Sequence, residues 1–237
     1  MSRRAVILAG GRGMRLRPYT VVLPKPLMPI GDFPILEVIV RQLKNRGFDH
    51  ITLAVNHQAE LIVAFFGDGT KWGLKIDYSR EDRPLSTMGP LQLIPDLPEN
   101  FLVMNGDTLT DLDYATFLDA HCADGNIFTI SSFVREHRVD YGVLEPDASR
   151  RLGGFREKPV LTYEVSMGVY AVSRAAAAMI PAGRAYGFDN LMLDMIAGKT
   201  PAHIVRHEGY WLDIGRPDDY AQAIEDFDKM SARLLHV

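Results

Sequence analysis

One stretch constrains this chain more than any other: Leu8-Ala9-Gly10-Gly11-Arg12-Gly13-Met14-Arg15-Leu16-Arg17-Pro18, followed by Pro24-Lys25-Pro26. The apolar run over residues 5–9 reads as a buried strand that opens directly into a glycine-rich, positively charged turn. Glycines there leave backbone N–H groups open to an anion, because no Cβ stands in front of them. Arg15 and Lys25 then set two cations beside the same anion. The turn is not a Walker A loop, and Gly198-Lys199-Thr200 is not one either, since Leu193 stands where that motif needs its first glycine. Pro18, Pro24, Pro26 and Pro29 exclude the long helix that a dinucleotide-binding turn must enter. The loop is therefore expected to hold a phosphate-bearing ligand in an extended, lid-like form.

The rest of the chain alternates strands and helices. Strands are expected at residues 51–55, 75–79 and 101–104. Helical faces are marked by Ile35, Val38, Ile39, Gln42 and Leu43 before Gly47, by Leu61, Ala64 and Phe65 before Gly67, and over 117–122 after Asp111. This alternation predicts an α/β fold with a mostly parallel sheet flanked by helices. The pattern changes past residue 133, where 143–145 and 152–155 suggest short antiparallel strands around a turn at 147–150. Core-like strands return at 167–172 and 203–206. Pro217 then starts a helix with Tyr220, Ile224, Phe227, Met230 and Leu234 at helical spacing. No repeat or linker interrupts the 237 residues, so one domain is expected, with residues 1–110 as a nucleotide half and 111–237 as a substrate half.

A net charge of −4 speaks against a nucleic-acid surface, and no apolar stretch is long enough for a membrane span. The single cysteine, Cys122, excludes an internal disulfide and fits a reducing, cytoplasmic setting; on its helix it is expected to be a small core residue.

Ligands of open α/β sheets sit beyond the carboxyl ends of the strands. Both the glycine loop and Asn105-Gly106-Asp107 occupy such ends, so Asp107 can share a cleft with the phosphate cradle. A carboxylate facing phosphates is repulsive unless a divalent cation lies between them, which gives Asp107 a metal role beside the alternative of a turn cap. Asp213, a lone carboxylate in an apolar run, needs a partner too: the same cation or a structural salt bridge.

With these residues in place the chain resembles the sugar-1-phosphate nucleotidyltransferases. The resemblance runs in order through Leu8-Ala9-Gly10-Gly11-x-Gly13-x-Arg15-Leu16-x-Pro18-x-Thr20, Pro24-Lys25-Pro26 and Glu81-x-x-Pro84-Leu85-x-Thr87-x-Gly89. It continues through Asn105-Gly106-Asp107, Tyr141-Gly142-Val143, Glu157-Lys158-Pro159, Gly168-Val169-Tyr170 and Trp211-x-Asp213-Ile214-Gly215. It implies a Rossmann-like fold of the nucleotide-diphospho-sugar transferase type, and joining of a nucleoside triphosphate to a sugar 1-phosphate with release of pyrophosphate. By position, Arg15 and Lys25 would neutralise the triphosphate. Leu8, Ala9, Gly10, Gly11, Gly13, Thr87, Gly89 and Asn105 would bind the nucleotide. Gly142, Glu157, Lys158, Ser166 and Gly168 would bind the sugar phosphate, and Asp107 and Asp213 would ligate Mg²⁺. The chain is most similar in look to mannose- or heptose-1-phosphate guanylyltransferases, which favours GTP and leaves UTP, dTTP and CTP open. Members of this family often form homo-oligomers. No hexapeptide repeats follow residue 220, so the acyltransferase module of the bifunctional members is not expected.

Met14 and the Ser86-Thr87-Met88-Gly89-Pro90 segment depart from the family pattern, and Met88 could narrow the nucleotide pocket or pack inward. Asp111-Leu112-Asp113 keeps open a glycosyltransferase that binds a metal through this pair, or a helix cap at Asp111. A silent nucleotide-sugar-binding protein is the third reading, against which the intact Arg15, Lys25, Asp107 and Asp213 speak. His57 lies at a strand end near the cleft, and His203 and His207 lie too far apart on a strand to share a metal.

Overall fold

The structure is a computed structural model that describes residues 2–236. Its centre is a seven-stranded sheet of β1 (Arg4–Leu8), β2 (His50–Val55), β3 (Lys75–Arg80), β4 (Asn100–Asn105), β5 (Phe128–Arg138), β6 (Val160–Ser173) and β7 (His203–Arg206). Their order across the sheet is β7-β5-β6-β4-β1-β2-β3. Only β6 is antiparallel to its neighbours, so six strands point one way, as the alternation requires.

Side chains alternate faces along each strand, and the two faces bury separate apolar layers. Ala5, Ile7, Leu102, Met104, Val169 and Ala171 face one layer with α1 (Ile35–Asn45), α2 (Ala59–Phe66), α3 (Tyr114–Ala123) and the last helix. Val6, Phe101, Val103, Tyr170 and Val172 face the other, with α4 (Phe188–Ala197). The last helix, α5 (Pro217–His236), buries Ala223, Phe227 and Leu234; Ile224 turns outward, one step off the expected stripe. Cys122 is exposed instead of buried, and its neighbour His121 takes the core position, bonded through Nδ1 to Thr129 Oγ1 at 2.8 Å.

The chain leaves β1 toward β2 and β3, then returns to the opposite side of β1 as β4. That reversal opens a crevice at the carboxyl ends of β1 and β4, the place where such sheets bind ligands. The proline-rich segment forms no long helix. It makes three single 3₁₀ turns, Met14–Leu16, Tyr19–Val21 and Lys25–Leu27, which lay the loop along this crevice. Past the sheet, β5 and β6 run on together, and Val143–Pro146 pairs with Leu152–Arg156 as an exposed two-stranded arm around the expected turn.

Candidate active site

Four successive strand ends build the first cleft. Asp107 follows β4, Gly10 and Gly11 follow β1, Asn56 follows β2 and Glu81 follows β3. With Leu8, Arg12, Ser86, Thr87 and Asn105 they line a cavity of about 400 Å³. A second cavity of about 310 Å³ adjoins it, lined by Asn105, Arg135, Ser166, Gly168, Trp211 and Asp213 among others. Asn105 lines both.

Asp107 and Asp213 meet through the backbone. Thr108–Thr110 pairs antiparallel with Trp211–Asp213, Thr108 opposite Asp213, and the Ile214 N–H donates to the Asp107 carbonyl at 3.1 Å. This short ladder brings two carboxylates 106 positions apart in sequence to the seam between the cavities. Burial, and then the Asp107 charge, push the Asp213 carboxyl above the ordinary carboxylate range; Lys25 and Arg15 oppose that rise. Lys25 forms an ion pair with Asp107 from a largely buried position. Arg15 stands on the Asp213 side: a Cβ on Gly215 would sit 3.0 Å from Asp213 Oδ2 and 3.6 Å from the Arg15 Nη2. Two carboxylates drawn together, with two cations at their edge, fit a divalent ion. No group of three or more His, Cys, Asp or Glu side chains forms among the described residues. The fit is therefore to an ion that takes few carboxylates and completes its shell with water and substrate phosphate, the habit of Mg²⁺.

The glycines divide by role. A Cβ on Gly10 would lie 3.0 Å from Glu81 Oε1 and 3.2 Å from the Asn56 Cβ, so the bare backbone keeps that floor open. Gly13 shapes the turn instead. Its φ of +58° is left-handed, its carbonyl accepts from Thr20 Oγ1 at 2.8 Å, and it lines neither cavity. Gly168 sits in a β-bulge where the β5–β6 register shifts, at φ +77°, and a Cβ there would come within 2.5 Å of Asn105 Nδ2. The Trp211 indole pins that bulge by donating to the Met167 carbonyl at 2.9 Å.

Several expected ligands lie elsewhere. Ala9 is buried and its N–H is spent on the Ala54 carbonyl. Gly89 is buried with its N–H on the Tyr186 carbonyl, and Met88 packs inward in the core, so it does not narrow the pocket. Gly142, Glu157 and Lys158 are exposed on or beside the arm and line neither cavity, because that segment forms its own ladder away from the sheet. Gly142 and Glu157 do lie together there, with Glu157 Oε2 3.2 Å from a Gly142 Cβ. His57 is exposed and lines neither cavity.

The Asp111–Asp113 pair is not a metal site. Asp113, not Asp111, caps α3, accepting from the Ala115 and Thr116 N–H groups. The Asp111 carboxylate is buried, accepting from the Tyr210 N–H at 2.7 Å, bonded to His207 Nε2 at 2.8 Å and paired with Arg233. Arg12, Asn56, Glu81 and Arg135 were missed as lining residues. Asn56 and Glu81 each follow a strand directly, the signal that singled out Gly10 and Asp107.

Residues 4–230 match the model of the family described as nucleotidyl transferase. The chain belongs to that family. The chain is 34% identical to a UTP–glucose-1-phosphate uridylyltransferase of Synechocystis over 93% of its own length and 62% of that protein's. It is 30% identical to a mannose-1-phosphate guanylyltransferase of Mycobacterium tuberculosis over 94% and 64%. The chain thus spans less than two thirds of these relatives. The crystal structure of HddC from Yersinia pseudotuberculosis superposes with a TM-score of 0.74 at 29% identity, over 95% of this chain and 99% of that one. A putative glucose-1-phosphate thymidylyltransferase of Bacillus anthracis, 22% identical with a TM-score of 0.77, shares the fold. No helix among the described residues is long and apolar enough to cross a membrane.

Proposed function

We propose that the protein joins a nucleoside triphosphate to a sugar 1-phosphate, forming a nucleoside-diphosphate sugar and pyrophosphate. The observation that carries this reading is the ladder that sets Asp107 and Asp213 at the seam of two cavities. The first takes the nucleotide and the second the sugar phosphate. A phosphate oxygen of the sugar 1-phosphate attacks the α-phosphorus as the bond to the β-phosphate breaks, and pyrophosphate leaves with the electron pair. That oxygen is already anionic near neutral pH, so the step needs alignment and charge neutralisation more than a general base.

Lys25 leaves Asp107 for the triphosphate when substrate enters, with Arg12 and Arg15 beside it. Arg135, whose guanidinium lies 5.6 Å over the Trp211 ring, is the cation of the second cavity and meets the sugar phosphate there. Asp107 and Asp213 would hold Mg²⁺, which when bound neutralises phosphate charge and orients it. Glu157 and Lys158, which line neither cavity, would have to meet the sugar from beside the arm.

GTP with a mannose- or heptose-1-phosphate is the first pair to test, since the mycobacterial relative is a guanylyltransferase and HddC is also solved complexed with GMP-PN. UTP with glucose 1-phosphate is the second, favoured by the 34% identity to the uridylyltransferase. The test is pyrophosphate release from each nucleoside triphosphate with a panel of sugar 1-phosphates and Mg²⁺. Release that needs both substrates is expected; silence with every pair overturns the reading.

A further inference from the structure

The ladder that carries Asp213 joins Thr108–Thr110 to Trp211–Asp213 and nothing longer, and two strands of that length hold no register by themselves. A slip of one residue would turn Asp213 to the opposite face, away from Asp107. At the other end of the ladder stands Asp111.

In the register that sets Trp211 opposite Thr110, the next pair is Tyr210 and Asp111. The Asp111 N–H donates to the Tyr210 carbonyl at 3.2 Å, and the Thr110 hydroxyl donates to the same carbonyl at 2.7 Å. The return bond comes from a side chain, because the Tyr210 N–H donates to Asp111 Oδ1 at 2.7 Å. That carboxylate is only 4% exposed, and the chain leaving β7 wraps it. The His207 N–H donates to the Ser132 carbonyl of β5 at 2.8 Å, while its ring Nε2 meets Asp111 Oδ1 at 2.8 Å. Arg233 of α5 pairs with Oδ2. A Cβ on Gly209 would run into Oδ1 and the His207 ring, so a bare glycine lets residues 207–210 close around the charge. The Tyr210 hydroxyl donates to Asp226 Oδ2 of α5 at 3.0 Å and ties the same turn to the last helix.

A buried carboxylate must be met by donors and opposite charge. Here they come from the end of β7, the turn and α5, and they converge only when Tyr210 stands opposite Asp111. Strand rise puts Asp213 about 10 Å further along, so Asp111 touches neither cavity and acts through the ladder. We propose that Asp111 is a positioning residue, whose carboxylate sets the ladder register and thereby holds Asp213 against Asp107. This rests on the reading of Asp107 and Asp213 as one cation site and deepens it by naming what keeps the pair together.

The test combines amide hydrogen exchange of the ligand-free full chain with electron paramagnetic resonance of Mn²⁺ and guanylyl imidodiphosphate. Asp111→Ala is expected to speed exchange about tenfold over residues 210–214, with β1 and β4 at wild-type rates, and to weaken Mn²⁺ binding about tenfold. Asp111→Asn keeps an acceptor for the Tyr210 N–H and is expected to stay within about twofold of wild type in both readouts. Gly209→Ala leaves the carboxylate in place and pushes the turn off it. It is expected to move both readouts the same way by about fivefold, and it carries the test if Asp111→Ala does not fold. A residue that only stabilised the fold would lower Tm and leave the Mn²⁺ affinity of the folded chain alone. Unchanged Mn²⁺ affinity in folded Asp111→Ala or Gly209→Ala, or faster exchange spread evenly over the sheet, therefore overturns the proposal. Wild type that binds no Mn²⁺ ends the cation reading by itself, and faster exchange confined to 210–214 in Asp111→Ala then still assigns the register to Asp111.

Discussion

The two cavities that meet at Asn105 are built in different ways. The first stands on the ends of four adjacent parallel strands, where each functional residue follows its strand by one to a few positions. The second stands on β5 and β6, which outrun the sheet, and on a bulge at Met167–Gly168 pinned from outside by Trp211. In the first, the packed sheet fixes the positions of Gly10, Asn56, Glu81 and Asp107 directly. In the second, position is transmitted through one β-bulge and one indole, and the expected sugar ligands Glu157 and Lys158 stand beside an arm with little core beneath it. The first cavity is thus preorganised by the fold, while the second depends on a few special contacts.

The sharpest way to break this contrast is at the seam. Asp107→Ala or Asp213→Ala is expected to lower pyrophosphate release by about 10²–10³-fold, on the scale of losing a preorganised electrostatic group. A normal thermal melt for either variant shows that the fold survives. Gly168→Ala comes next. Alanine is strained at φ +77° and meets Asn105 Nδ2, so a stability loss of about 1–2 kcal/mol and roughly tenfold lower kcat/KM are expected. Melting and steady-state kinetics check both. Unchanged kinetics would show that the bulge does not position the second cavity.

On the arm, Glu157→Ala and Lys158→Ala are expected to raise KM for the sugar 1-phosphate about fivefold, with the nucleotide Kd unchanged by calorimetry. A change in nucleotide Kd instead would erase the division between the cavities. The smallest effect belongs to Glu164 on β6, which accepts from Ser132 Oγ and pairs with Arg206 on β7. Those partners, Arg206 first, hold its carboxyl down to about 2. A depressed carboxyl contributes its stability in full above the ordinary carboxylate value and loses it only as pH falls through the folded one. Glu164→Gln should therefore lower Tm by the same small amount at pH 5.5 and pH 8, and a loss seen only at the higher pH would contradict the pairing.

The same contrast explains what could be read from the sequence. The parallel order, the proline-broken loop and the meeting of Asp107 with the glycine turn follow from local signals, because strand ends converge whatever the details. Asn56 and Glu81 obey that rule as well, yet Asn56 carries no glycine-rich turn to mark it and Glu81 is legible only as part of the family motif, without a role. The ladder joining Asp107 to Asp213 is a long-range pairing, and spacing carries no trace of it. The amides of Ala9 and Gly89 are engaged by the Ala54 and Tyr186 carbonyls and neither residue lines a cavity, a fact of register. Arg135 needed the stack on Trp211 to be seen, and Asp111 needed His207 and Arg233, both brought to it by tertiary packing alone.

The central claim is that Asp107 and Asp213 grip one cation jointly where the nucleotide and sugar cavities meet. Electron paramagnetic resonance of Mn²⁺, titrated with the protein and a non-hydrolysable nucleoside triphosphate, tests it most directly. One immobilised Mn²⁺ per wild-type chain, lost in both Asp107→Ala and Asp213→Ala, is the predicted result. Stoichiometric Mn²⁺ binding retained by either variant would contradict it.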